Sequence, residues 1–357
     1  MSCRVAVIMS GFPRRSETFA LGELLALENR GMLAGIFATK RGDAETAQSG
    51  TEHLMKKVHF LKPGSPDQQA KEVAAFLQNF PVSGVHGYFA HTPAEVALHA
   101  AARLGIPYGF SVHARDARKI SPRALAGRSH LAACVVACNS DVASEIQRQD
   151  ARVHLIPHGV HLGRFQPSEE ASGEVLRLLA VGRLVEKKGF DVLIDAVSRM
   201  HFPFSLRIVG EGPERKRLEA LIAAHGLARH ITLCGAKSHE ELPSEYAQAH
   251  VVVVPSVVDR SGDRDGVPNV LLEAMACGRP VVATGAGAIT SVVVQGGNGM
   301  LVPERDPQAL CAVLDLLGRN PELRRQLGQH GRHTVERNYE LNHCTNRFCE
   351  LLTEAYA

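Results

Sequence analysis

Short apolar runs alternate with amphipathic stretches along almost the whole chain. In the first half the runs are RVAVIM (4–9), AGIF (34–37), KVHFL (57–61), GVHGYFA (84–90), YGFSV (108–112), CVVAC (134–138) and VHLI (153–156). Each is short, bounded by turn residues and rich in β-branched or aromatic side chains, which predicts strands. Segments 16–30, 67–79 and 93–104 carry apolar residues at helical spacing between them. Strands that alternate with helices predict a parallel sheet covered by helices.

The pattern lapses at PHGVHLGRFQPSEEASGE (157–174), which has Pro, Gly, Ser and acids and no period. Residues 161–174 therefore read as a linker after a first domain of residues 1–160. The alternation then restarts with VLRLLAVG (175–182), a helix over 188–200, FSLRIVG (204–210), a helix over 213–225 and HITLCG (230–235). It continues through a helix over 238–248, VVVVPS (251–256), a helix over 268–277, PVVAT (280–284) and GMLVP (299–303). A helical stretch over about 306–356 follows. This predicts a second α/β domain at 175–335, with residues 336–357 packing back on the first.

The 357 residues are 45% apolar, enough for two cores. The formal charge of +3 is uneven: residues 1–165 hold 19 Lys and Arg against 13 Asp and Glu, and the remainder 21 against 24. A basic first half suits an anionic partner, either a membrane surface or a phosphorylated carrier, although scattered surface charge looks the same. The eight cysteines form no CxxC pair or zinc-type cluster. Cys134, Cys138, Cys234, Cys277 and Cys311 sit in apolar runs, as reduced thiols do in a cytoplasmic protein. RVAVIMSGF is too short for a signal peptide, and VVVVPSVV is far below the roughly 18 residues of a membrane span.

Parallel sheets bind ligands beyond the carboxyl ends of their strands, so the loops there carry the candidate chemistry. Arg183 leaves the first strand of the second domain and Lys188 opens the next helix. A fork-shaped and a point cation at one strand exit suit a phosphate or diphosphate. A solvated helix start is the other reading, though the helix dipole disfavours cations there. The sequence DRDGVPNVLLEAMACG (263–278) passes from a loop into a helix, with Pro268 suited to the first turn and Gly278 to the end. Its free amides and dipole offer a seat for an anion. Glu273 is a lone carboxylate in an apolar helix, which pairs with a cation or accepts from ligand hydroxyls, as a vicinal diol would provide. Asp263 and Asp265 form a D-x-D that could suggest a metal, but a three-letter match of this kind is common by chance. His113 leaves a strand end in the first domain and reads either as a site residue or as a packed core histidine; His86 and His91 around the preceding strand are weaker candidates. GEGPER (210–215) and GAGAIT (285–290) miss the dinucleotide fingerprint, and MSGFPRRSETF offers only Gly11 after the first strand. There is no P-loop, GxSxG or HExxH, so oxidoreduction and nucleotide hydrolysis lose support.

Taken together, VGRLVEKKGFDVLIDA, RIVGEGPER, LCGAKSHEEL, VVVVPS, DGVPNVLLEAMACGRPVVAT and NGMLVP resemble the retaining family-4 glycosyltransferases of the GT-B fold. GFPRRSETF, HTPAEVA, GIPYGFSVHARD, VVACNS and IPHGVHLGRFQP are similar to the bacterial exopolysaccharide, colanic-acid-type branch. The resemblance implies two Rossmann-like domains facing a cleft and transfer of a hexose from a UDP- or GDP-sugar, with retention and without a metal. It implies that Arg183 and Lys188 bind the diphosphate, that Glu273 holds the ribose diol, and that Asp265 with Gly266, Val267, Pro268 and Asn269 meets the donor sugar. Gly235, Ala236 and Lys237 would hold the base through their backbone, His113 would lie over the sugar, and Gly11 would admit the donor phosphate. Arg14, Arg15 and Glu17 are assigned to the acceptor. No cofactor or nucleic acid is implied.

Three positions depart from that pattern. Asp265 stands where the family usually has Glu, Thr290-Ser291 where relatives often have Pro-Glu, and His161 replaces an acid at the hinge. The expected acceptor is a lipid-linked oligosaccharide, reached by a cytoplasmic protein peripheral to an anionic membrane. The alternatives are a small soluble acceptor such as an aminocyclitol, or a non-catalytic subunit that binds nucleotide sugars.

Overall fold

The structure, a computed structural model, describes residues 3–14, 17–42, 50–113, 120–147, 152–169 and 173–357. The chain divides into two compact units, Met1–Gly159 with Leu341–Ala357, and Val160–Glu340. Each is a Rossmann-like parallel sheet with helices, as the alternation predicts.

The first unit holds β1 (Val5–Met9), β2 (Leu33–Ala38), β3 (Val58–Phe60), β4 (Gly84–Tyr88), β5 (Tyr108–Val112), β6 (Cys134–Ala137) and β7 (His154–Leu155). They form one sheet in the order β3-β2-β1-β4-β5-β6-β7, with every described pairing parallel. β1 is buried at all its positions, the signature of a strand covered on both faces. The described helices are α1 (Thr18–Asn29), α2 (Thr51–Met55), α3 (Pro66–Leu77), α4 (Thr92–Leu104), α5 (Pro122–Leu131) and α6 (Ser140–Gln147). Ser65 closes a capping box with Gln68 at the start of α3, and Ser121 caps α5. β4 stops short of the expected residue 90 because Phe89 takes φ 89°, a left-handed conformation rare for an aromatic residue.

The second unit holds β8 (Leu176–Val181), α7 (Phe190–Val197), β9 (Phe204–Val209), α8 (Arg215–Ala224), β10 (Ile231–Leu233), α9 (Leu242–Gln248) and β11 (Val251–Val254). After these come α10 (Asn269–Ala276), β12 (Val281–Thr284), β13 (Met300–Val302), α11 (Pro307–Arg319) and α12 (Pro321–Asn338). The strand order is β10-β9-β8-β11-β12-β13, again all parallel. Direction of winding reverses between β1 and β4 in one sheet and between β8 and β11 in the other.

The helical stretch over 306–356 is three helices. Pro321 starts α12 after Arg319 ends α11, and residues 336–340 remain with the second unit, where Glu340 bridges Val160. Residues 341–356 form α13 (Leu341–Tyr356) of the first unit, burying Phe348, Cys349, Leu352 and Tyr356 in one cluster with Val5, Val7 and Leu24. The Tyr356 hydroxyl lies 2.9 Å from His86 Nδ1. A Cβ on Gly84 would stand 2.5 Å from Tyr356 Cγ, so this strand start must be glycine for the ring to seat. Residues 161–169, aperiodic in sequence, are mostly exposed but anchored at one point: Phe165 is fully buried beside Leu179 and Tyr246. One apolar anchor is enough to hold a segment that composition alone reads as a linker. Among the described residues no helix is long and apolar enough to cross a membrane.

Candidate functional site

The β8–β11 switch gathers the second unit's charges. Gly182 and Arg183 follow β8, and the Arg183 side chain is exposed, with no hydrogen-bond or ion-pair partner among the described residues. Lys188 closes a single 3-10 turn (Glu186–Lys188) ahead of α7. Gly189 then takes φ 61°, and a Cβ there would lie 1.9 Å from the Pro255 carbonyl oxygen. That close approach sets the lysine against the loop that follows β11.

Lys188 Nζ donates to Asp265 Oδ2 at 2.7 Å, and Ser256 Oγ donates to the same oxygen at 2.8 Å. Lys187 Nζ lies 3.1 Å from Asp263 Oδ2 and 3.4 Å from Asp265 Oδ1. Burial alone would raise the Asp265 carboxyl, but the charges of Lys188 and Lys187 and the bonds from Lys188 and Ser256 outweigh it and hold it below its ordinary value. Both acids of the D-x-D are thus bound by ammonium groups. Lys187 was not singled out from sequence; the Lys-Lys doublet was its only trace.

α10 begins at Asn269 with Pro268 as its N-cap and no side-chain cap. Pro268, buried, has no N–H to offer a ligand, so of the four residues assigned to the sugar only Gly266, Val267 and Asn269 carry an amide. Gly287, in the turn after β12, approaches so closely that a Cβ would stand 2.0 Å from the Asp265 carbonyl oxygen. Thr290 and Ser291 lie in that same turn, where Ser291 Oγ donates to the Ala288 carbonyl.

Glu273 is buried on α10 and already engaged. Tyr246 donates its hydroxyl to Oε2 at 2.8 Å, and His239 Nε2 lies 3.1 Å from Oε1. Burial, then the adjacent Glu273 charge, push the Tyr246 phenol well above its ordinary value, so it stays a donor. Neither partner was legible in sequence, because they lie on α9 and the loop before it. Gly235 follows β10 and bridges Gly210 after β9; Ala236 beside it is exposed. Lys237 turns its ammonium to Glu245 at 3.0 Å and Glu241 at 3.7 Å, so only its backbone is open to a ligand. His161 Nδ1 accepts from the Arg164 amide at 3.1 Å, the turn-capping bond that a carboxylate makes.

In the first unit, His113 immediately follows β5. Its ring packs on Phe19 (centroids 4.7 Å), Phe89 (5.0 Å) and His158 (5.0 Å, interplanar 12°). Burial, then the charge of His158, hold His113 well below its ordinary value, which keeps it a neutral imidazole. His158, missed in the sequence although it stands in PHGV, stacks on Phe19 at 4.0 Å and lies 3.6 Å from Glu23 Oε1. Tyr88 donates its hydroxyl to the other Glu23 oxygen. His86 is a core residue held by Tyr356 and Ser111. Gly11 is buried after β1, and the place of its absent Cβ lies 3.1 Å from Arg14 Nε. Arg14 and Glu17 pair with each other at 3.4 Å beside a cavity of about 10 Å³, room for a water only. Arg15 lies outside the described residues.

A cavity of about 520 Å³ lies at the amino ends of the second unit's strands, where His250 precedes β11 and Arg279 and Pro280 precede β12. Three of its arginines serve the backbone: Arg332 donates to Phe165 and Ala276 carbonyls, Arg279 to those of Ser168 and Ala247, and Arg324 to those of Leu317 and Gly318, while Arg325 pairs with Glu322. It reads as structural.

The family described as Glycosyl transferases group 1 matches residues 164–334, and that described as Glycosyltransferase Family 4 matches residues 16–164. WcaL of Salmonella typhimurium, assigned by name to glycosyl transfer in colanic acid biosynthesis, is 41% identical over 160 residues, 44% of this chain and 39% of that protein. An uncharacterized glycosyltransferase of Methanocaldococcus jannaschii is 32% identical over 253 residues, 70% of this chain and 69% of that protein. The crystal structure of the Anabaena protein Alr3699/HepE in complex with UDP covers 98% of this chain and 100% of its own, with TM-score 0.83 and 17% identity, a likeness of fold.

Proposed function

This chain belongs to the group 1, family 4 glycosyltransferases and has the GT-B fold, and on that premise we propose that it moves a hexose from a UDP- or GDP-sugar to a glycan acceptor with retention at the anomeric carbon. One observation carries the assignment of the donor end. Arg183, an exposed guanidinium without a side-chain partner among the described residues, stands at the β8–β11 switch together with Lys188, where doubly wound sheets bind phosphates.

In this reading Arg183 and Lys188 take the charge that develops on the departing diphosphate, joined by the amides of Gly266, Val267 and Asn269. Lys188 reaches the ligand as a cation already oriented by Asp265, which acts through the lysine rather than on the sugar. Glu273 accepts from the ribose diol, and the backbone at Gly235, Ala236 and Lys237 meets the base. His113 and Gly11 are assigned to the reacting sugar and the donor phosphate on the family resemblance, and Arg14, Arg15 and Glu17 to the acceptor.

The positive charge that a divalent ion supplies elsewhere comes here from Arg183 and Lys188, so the reaction runs without a metal. The acids at 263 and 265 are neutralised by Lys187 and Lys188 and have no excess charge for one. The sugar–phosphate bond breaks on the face where the acceptor oxygen attacks, and the leaving phosphate takes the acceptor's proton. The acceptor is a lipid-linked oligosaccharide of exopolysaccharide assembly, which a peripheral contact with an anionic membrane would serve.

A panel of UDP- and GDP-sugars, scored by thermal shift with and without EDTA and by release of nucleoside diphosphate, tests this. One donor should raise the melting temperature and turn over equally in both conditions. Loss of turnover in EDTA would refute metal independence, and turnover that survives Arg183→Ala with Lys188→Ala unchanged would refute the donor site.

A further inference from the structure

Arg164, His239 and Glu273 form a chain of hydrogen bonds that the donor assignment leaves unused. Arg164 Nη1 lies 2.6 Å from His239 Nδ1, and His239 Nε2 lies 3.1 Å from Glu273 Oε1. A guanidinium can only donate. Nδ1 must therefore accept, which places the ring proton on Nε2 and aims it at the carboxylate. The adjacent Phe165 presents its edge to His239 (5.1 Å, 62°) and to Tyr246 (5.9 Å, 73°), so consecutive residues fix both the ring plane and the tautomer.

The consequence falls on Glu273. A carboxylate offers about four acceptor positions. The His239 ring takes one on Oε1 and the Tyr246 hydroxyl one on Oε2. One acceptor position remains on each oxygen, and its direction is set by the donor opposite. Two parallel acceptors one carboxylate apart match two hydroxyls on neighbouring carbons. A free glutamate would rotate about its last bond and read one hydroxyl as well as two.

We infer that Arg164 and His239 are positioning residues that lock Glu273 into a two-hydroxyl acceptor, making this unit selective for ribonucleotides over deoxyribonucleotides. This rests on the assignment of Glu273 to the ribose. Neither residue touches the ligand; Arg164 acts through His239, and His239 through Glu273. Gln at 239 can supply the Nε2 donor with its amide, whereas Leu cannot.

The test is calorimetric binding of UDP, GDP and their 2′-deoxy and 3′-deoxy forms to the full chain and to His239→Gln, His239→Leu and Arg164→Met. The wild type should prefer the better ribonucleotide to its deoxy forms by about 10- to 100-fold. His239→Leu should reduce that ratio to below about 3-fold, His239→Gln should keep most of it, and Arg164→Met should fall between. A general loss of packing lowers all affinities together and leaves the ratio unmoved, and that result would overturn the inference. If the wild type itself fails to discriminate, the assignment of Glu273 to the ribose falls first, and the inference with it. If it discriminates and His239→Leu keeps the full ratio, Glu273 stands and only the positioning role is lost.

Discussion

Lys188 and Asp265 are bonded to each other, ammonium to carboxylate, at 2.7 Å. The cation assigned to the diphosphate and the acid that the family resemblance alone would put at the sugar are thus one unit before any ligand arrives. Their neighbour Arg183 is free of such a tie among the described residues. The two cations therefore separate in experiment. Arg183→Ala should cost on the order of 100-fold in kcat/KM while stability stays within about 0.5 kcal/mol. Lys188→Ala should cost at least as much activity and also lower the melting temperature. Steady-state kinetics beside thermal unfolding decide it; equal stability of the two variants would contradict the pairing.

Asp265→Asn should destabilise by about 3 kcal/mol, because it leaves Lys187 and Lys188 next to a buried neutral amide. The Asp265 carboxyl is held below its ordinary value of 3.8. Its contribution is present above that pH and lost as pH falls through the lowered value. Urea unfolding should show a constant gap between wild type and variant at neutral pH that closes only below about pH 4. Asp265→Glu, which restores the residue usual in the family, should cost about 1–3 kcal/mol through overpacking against Ser256. A change in the preferred donor sugar on the nucleotide-sugar panel would mark the missing methylene as a specificity determinant.

The first unit carries a pH dependence of opposite sign. Burial opposes the charge of His158, but the thiol of Cys138 and the carboxylate of Glu23 outweigh it and push the ring up to about 9 from 6.5. A raised histidine contributes stability that is full below 6.5 and lost as pH rises through about 9. Glu23→Gln should therefore destabilise by about 1–3 kcal/mol at pH 6, with the difference fading by pH 9. His86, pushed down to about 3 by burial, works the other way and weakens the fold as pH falls below 6.5. Unfolding curves from pH 5 to 10 for wild type and variant separate the two; a Glu23→Gln deficit that grows towards pH 9 would rule out a charged His158.

Gly189→Ala should be among the most damaging small substitutions. The residue sits at φ 61° and a Cβ would meet the Pro255 carbonyl oxygen at 1.9 Å. The loss should exceed about 2 kcal/mol, and kcat/KM should fall as well because Lys188 precedes the strained position. Gly226, also at positive φ but with open space around it, supplies the control. Gly226→Ala should cost about 1 kcal/mol with kcat/KM unchanged. Similar melting points for both variants would show that φ alone, rather than the clash, sets the cost.

Strands were the most legible part of the sequence. Runs such as YGFSV and VVVV are covered on both faces, so their apolar character is continuous and bounded by turns. Short helices such as Thr51–Met55 and Ser140–Gln147 gave no readable period. In the site, Arg183, Lys188, Asp265 and Glu273 stood out because charge at a strand exit or in an apolar helix is conspicuous. Their partners did not. Lys187 looks like any second lysine of a doublet; Tyr246 and His239 reach Glu273 from α9 and the loop before it, and Arg164 reaches His239 from a distant segment. Phe89 has a backbone angle that no composition reveals. Pairings across the fold depend on where segments meet, which local patterns do not encode.

The division of the first unit between Met1–Gly159 and Leu341–Ala357 bears on synthesis. Translation delivers the second unit as one continuous stretch, able to close as soon as residue 340 is free of the ribosome. The first unit, although begun earlier, must wait for Phe348, Leu352 and Tyr356, and until then His86 and the groove at Gly84 stay uncovered. Of the two units, the one whose synthesis starts earlier is completed later, and during that interval its sheet lacks the helix that covers His86.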